Sequence, residues 1–171
     1  DLPYTLCPQT EDKDSRTLVI RAKECIEHIQ SSINAAGLEP RKNIILLGHS
    51  MGGNVSRLVA ADSEIRHYVY SVLTVSSPHK GSILADFVFD QLKENFINPI
   101  FSSVINLIGF TPKEKKYIRE LQMIRSGTSS KFFESQDAPK IEGIDYYSIS
   151  NEKSRNFTMP PLEVSRRLVK K

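Results

Sequence analysis

Apolar residues return at three- and four-residue steps near the start of the chain: Leu18, Ala22, Cys25, Ile26, Ile29 and Ile33. That spacing lines one face of a helix. It predicts a helix from about Ser15 to Ala36, with Gly37 and then Pro40 as the stop. Residues 43–48, Asn-Ile-Ile-Leu-Leu-Gly, break the pattern with a continuous apolar run. Strands of a parallel sheet covered on both faces have this composition. Helical spacing resumes at Met51, Val55, Leu58 and Val59. Residues 68–76, Tyr-Val-Tyr-Ser-Val-Leu-Thr-Val-Ser, are rich in β-branched and aromatic side chains and predict a second strand.

Strand, helix and strand joined by short links imply a parallel sheet with right-handed crossovers, which places the chain in the α/β class. Residues 143–150, Gly-Ile-Asp-Tyr-Tyr-Ser-Ile-Ser, predict a third strand extending that sheet. The first 14 residues are polar, contain Pro3 and Pro8, and read as a loop. The stretch between the second and third strands departs from the regular alternation. Ile97, Ile100, Phe101, Val104, Ile105 and Ile108 mark an apolar face there. Thr111-Pro112-Lys113-Glu114 is a capping box with proline at the first helical position, which predicts a helix start.

Composition narrows the function classes. The 171 residues fit one domain with a single core, and 39% hydrophobic with 25% charged residues is ordinary for a globular protein. A net charge of +3, with no basic cluster interleaved with aromatics, gives no case for nucleic-acid binding. The basic knots at 113–116 and 166–171 read as solvated surface, with a weak attraction to anionic lipid as the alternative. Two cysteines, Cys7 and Cys25, are too few for a disulfide framework and lack metal-ligand spacing. Cys25 lies on the apolar helix face, so a buried thiol is expected. That pattern leans toward an intracellular setting, with association to a lipid surface or organelle. Residues 95–112 carry no charge, but three asparagines and Pro99 make them a poor membrane span, and no transmembrane segment is expected. No secretory leader opens the chain, which starts at Asp1; a processed product or a piece of something longer is expected.

The chemistry concentrates at Gly48-His49-Ser50-Met51-Gly52, a G-x-S-x-G pattern with Gly53 beyond it. The pattern alone is cheap. Its place between a strand and a helix gives it weight, because a sharp strand-to-helix turn raises a serine hydroxyl above the sheet edge. Side chains two positions away would collide at such a turn, which accounts for Gly48 and Gly52. The Met51 amide then heads a helix and can serve an oxyanion. A phosphate-binding loop would need GxxxxGK[ST] or GxGxxG, and neither occurs.

A serine nucleophile needs a base oriented by an acid. His49 adjoins Ser50 but is turned away by the elbow, and a packed, hydrogen-bonded role suits it. His28 falls on the polar side of the first helix, and His67 in a loop; both read as solvated. His79, just past the second strand, lies at the functional rim, with base and chain-turning roles both open. In hydrolases with this elbow the order is serine, acid, histidine. Asp86, Asp90, Asp137, Asp145, Glu152 and Glu163 all follow His79, the last histidine in the chain. The acid and base are therefore unknown and expected outside the chain.

These residues resemble the α/β-hydrolase lipases of the bacterial and fungal triacylglycerol lipase type. Residues 42–60 resemble the elbow strand, nucleophile and following helix. Residues 69–88 resemble the next strand and the Pro-His-basic-Gly-Ser stretch that leads into a lid. Residues 143–150 with 160–171 are similar to the strand and loop before the acid. The resemblance implies Ser50 as nucleophile, Met51 as an oxyanion amide, and His79-Lys80-Gly81-Ser82 as rim. The family's upstream His-Gly oxyanion motif, its downstream Asn-Asp-Gly acid and its later histidine have no counterpart here. It implies a partial α/β-hydrolase fold: one domain over 1–171, mostly parallel sheet with flanking helices, and a helical lid-like insertion at 83–126. A core helix is the other reading of that insertion. The expected function is a serine carboxylic ester hydrolase, foremost a lipase acting on acylglycerols and touching lipid surfaces peripherally. A thioesterase, phospholipase or acyltransferase shares the same acyl-enzyme chemistry. A catalytically dead lipid-binding protein is the reading from outside the enzyme class. No cofactor and no metal site are expected.

Overall fold

The computed structural model describes residues 4–8, 17–81 and 140–150. The lid-like insertion at 83–126, the capping box at Thr111 and the stretch 160–171 lie outside the described residues. Five elements follow in chain order: α1 (Leu18–Ala36), β1 (Ile44–His49), α2 (Met51–Ala61), β2 (Val69–Val75) and β3 (Asp145–Ile149).

Local chemistry explains where α1 begins and ends. Thr17 adopts an extended backbone and its hydroxyl accepts the Ile20 N–H at 3.3 Å, which satisfies one orphan donor of the first turn. At the other end Gly37 takes the left-handed conformation (φ 58°), and the Leu38 N–H closes back on the Ile33 carbonyl at 3.1 Å. The buried residues Leu18, Ala22, Cys25, Ile29 and Ile33 are the stripe that the spacing predicts.

β1, β2 and β3 form a parallel three-stranded sheet in that order. Leu47 lies level with Leu73 and Tyr147, and His49 with Val75 and Ile149. Ile33, Leu46, Val59, Ala60, Ile65, Val69, Val72 and Ile144 belong to one core cluster, which joins the two helices to one face of the sheet. The elbow therefore sits at the carboxyl end of β1, where open α/β sheets bind ligands.

Three expectations are corrected. β1 is covered on one face among the described residues, not on both: Leu46 is buried, while Ile45 and Leu47 are 59% and 69% exposed. α1 and α2 supply one layer, and the alternate side chains of β1 point away from it. Cys25 is not a thiol, because it forms a disulfide with Cys7 that ties the 4–8 segment to α1. His28 is not simply solvated either, since its Nε2 lies 2.7 Å from the Thr5 hydroxyl in the same tethered segment. These contacts leave no trace in local spacing, because residues 4–8 carry no periodic pattern.

Candidate active site

Ser50 is the residue between β1 and α2, and its backbone adopts φ 52° and ψ −126°. A positive φ at a non-glycine residue is strained, on the order of 1–3 kcal/mol, and persists only where the surroundings enforce it. Here β1 runs directly into α2 with no intervening loop. The Ser50 N–H still donates to the Val75 carbonyl at 2.9 Å, continuing the β1–β2 ladder. The Ser50 carbonyl already accepts the Gly53 N–H at 3.1 Å, as the helix begins. One residue therefore makes the whole reversal.

The Ser50 side chain makes no capping hydrogen bond, and the residue is exposed. That is unusual for serine at this position, where the hydroxyl ordinarily accepts from the first turn. Met51 is the first helical residue, and an N–H at that position has no acceptor within its own helix. An exposed hydroxyl beside such an amide can attack an acyl carbon while the amide faces the oxygen that becomes negative.

Glycine is required at two positions, one of them unforeseen. A Cβ on Gly48 would stand 2.5 Å from the Gly52 carbonyl oxygen and from Gly53 N and Cα, all backbone atoms that cannot rotate away. Among the described residues a Cβ on Gly52 would meet nothing within 4 Å, which corrects the expectation that a side chain there collides with the turn. The collision belongs to Gly53, whose Cβ would strike the Ser77 hydroxyl and stand 3.1 Å from the Thr74 Cβ. The turn brings the backbone of the first helical turn over Gly48, and α2 then lies against the loop after β2. The paired glycines were the available signal, but a motif that stops at the fifth residue hides it.

The remaining predicted residues fall as follows. His49 ends β1 on the exposed face, level with Val75, which corrects the packed role expected of it. His79 is half-buried, with its Nε2 3.0 Å from the Thr74 hydroxyl. Thr74 has one hydroxyl proton, which it donates to the Tyr147 carbonyl at 3.1 Å. The Thr74 side chain thus links the His79 ring on one side to the β3 backbone on the other. Burial holds the His79 pKa below the ordinary value, and the positive charges of Arg57 and Lys140 push it the same way. The ring is held against β2 through Thr74. His67 is exposed. Among the described residues no cluster of three metal-ligating side chains occurs, and no helix is long and apolar enough to cross a membrane.

The 76–81 loop, which holds the first three residues of the 79–82 stretch that the resemblance marks as rim, is closely registered on the elbow. Ser76 turns through φ 50°, the Ser77 hydroxyl donates to Val75 O at 3.3 Å, and the Gly81 N–H closes on Pro78 O at 3.0 Å. Asn54, fully buried on α2, reaches the same Pro78 carbonyl at 3.4 Å.

Known proteins place this arrangement. A triacylglycerol lipase of Pseudarthrobacter phenanthrenivorans is 34% identical over 92 residues, 52% of this chain and 27% of its own length. Triacylglycerol lipase 2 of Saccharomyces cerevisiae is 40% identical over 109 residues, 63% of this chain and 30% of its own. A GPI inositol-deacylase of Candida albicans is 48% identical over 109 residues, 61% of this chain and 24% of its own. The chain thus spans less than a third of the length of these relatives. Among solved structures, the mature form of a Bacillus licheniformis lipase superposes with a TM-score of 0.57 at 19% identity, covering 78% of this chain and 48% of that one. That likeness establishes the α/β-hydrolase fold. The PGAP1-like alpha/beta domain family matches residues 15–149, and the chain belongs to that family.

Proposed function

We propose that the protein is a serine hydrolase of lipid carboxylic esters, with Ser50 as its nucleophile. The observation that carries this reading is the strained, exposed Ser50 whose hydroxyl is not spent on capping the helix it heads. The hydroxyl oxygen attacks the ester carbonyl carbon while its proton passes to a base. The tetrahedral oxyanion forms beside the Met51 amide, the alcohol leaves, and water then releases the acid from the acyl-enzyme. The base and its acid are placed in polypeptide outside residues 1–171, since Asp86 and the acids after it have no histidine beyond them, as the order serine, acid, histidine requires. The partial coverage of the matched lipases supports that assignment.

Acylglycerols are the first substrate class, in keeping with the lipase relatives. The inositol-linked acyl group of a glycolipid is the second, favoured by the 48% identity to a GPI inositol-deacylase. Both are esters of a fatty acid, and the acyl-enzyme step is common to them. The segment 83–126 is assigned as the lid over the site, its apolar positions 97–110 meeting the lipid surface.

The test uses the native protein isolated from its own cells and offered glyceride esters of short and long chain, beside an acylated inositol lipid. Hydrolysis of long-chain ester, lost on the order of 10⁶-fold in Ser50→Ala, is the expected result. Cleavage that survives Ser50→Ala overturns the mechanism. Release of fatty acid from the inositol lipid alone selects the second substrate class.

A further inference from the structure

α2 meets the loop after β2 through two neighbouring residues. Gly53 lies so close to Ser77 that a Cβ would strike its hydroxyl, and Asn54 donates its amide to the Pro78 carbonyl at 3.4 Å. Asn54 is fully buried, and its Oδ1 has no hydrogen-bond partner among the described residues. The orientation is dictated by chemistry, because only the NH₂ end of an amide can face a carbonyl oxygen. A buried carbonyl left without a donor costs stability, and an aliphatic side chain of the same size would carry no such cost. What asparagine alone supplies here is the bond to the loop.

That loop stands beside the nucleophile. It begins immediately after Val75, whose carbonyl holds the Ser50 N–H, and it leads into the segment assigned as lid. Asn54 is one helical turn from Ser50, about 6 Å along the axis. The Ser50 turn itself is held by other means, the close approach at Gly48 and the bond to Val75. Loosening the loop therefore shifts the rim and leaves the nucleophile in place.

We propose that Asn54 is a positioning residue, which with Gly53 latches the 76–81 loop and so sets the access of long acyl chains to Ser50. This rests on the serine hydrolase reading above. The latch acts on selectivity for chain length, not on the attack itself.

The test compares rates of Ser50 labelling by a small fluorophosphonate and by one with a sixteen-carbon chain, with the melting temperature of the variant. In Asn54→Leu the melting temperature holds or rises. Small-probe labelling stays within about twofold, and long-chain labelling falls roughly tenfold, the scale of one lost hydrogen bond. If both probes slow together in step with the melting temperature, or if neither changes, Asn54 is structural and the inference is wrong. If the unmutated protein takes neither probe, the hydrolase reading itself fails. Labelled wild type with an indifferent variant overturns the latch alone.

Discussion

At the scale of single residues, the site is a set of steric permissions. Gly48→Ala places a methyl group against backbone atoms of the first helical turn, and overpacking of that kind costs about 1–3 kcal/mol. Gly52→Ala meets nothing and replaces glycine inside a helix, so stability holds or rises by up to about 1 kcal/mol. Chemical denaturation of the two variants should give opposite signs, and equal losses would show that the turn is not built as described. His79 adds a pH dependence. Its folded pKa lies below the ordinary value of about 6.5, so the unfolded chain binds the proton more tightly. Its contribution is present above about pH 6.5 and is lost as pH falls through the depressed folded value. His79→Gln should flatten that part of the stability profile, and an unchanged profile would mean that another group titrates.

The elements show which parts of the chain were legible beforehand. α1 was predicted from Ser15 to Ala36 and runs from Leu18, because Thr17 supplies the cap and the polar residues before it add no apolar face. The three strands fall within two residues of their expected bounds and α2 begins at Met51, where the helical spacing resumes, since apolar runs and helical spacing mark the type of element even where, as in β1, they overstate its burial. Ser50 was legible because its motif has fixed neighbours. Gly53, Asn54 and Ser77 were not, as their contact joins two segments 24 residues apart, and local spacing carries no trace of it. The Cys7–Cys25 disulfide escaped notice for the same reason. It closes a sequence separation of 18 residues, and chain entropy alone predicts that reduction lowers stability by about 3 kcal/mol. Denaturant titration with and without reductant measures this directly. No difference would show that the 4–8 segment is not tethered.

At the scale of the whole molecule, the sheet has two unlike faces. One carries α1, α2 and the core cluster. The other presents Ile45 and Leu47 of β1 and Tyr147 and Ile149 of β3, each roughly half exposed or more among the described residues, on either side of β2. Parallel sheets are ordinarily covered on both faces, and a contiguous apolar surface of this kind drives association in water. The 171-residue chain expressed by itself should therefore bind a hydrophobic fluorescent dye and self-associate, and Leu47→Lys should reduce both. Dye binding no greater than that of an ordinary folded monomer would contradict this. The same sheet supplies the platform for the elbow, which stands at the carboxyl end of β1 with the β2 loop against it.

The central claim is that the turn at residue 50 presents an activated alcohol, and peptide mapping after fluorophosphonate treatment of the native protein tests it most directly. A single phosphonyl adduct on the peptide holding Ser50, absent from Ser50→Ala, is the predicted result. An adduct on another serine, or none on a protein that is otherwise folded, would contradict it.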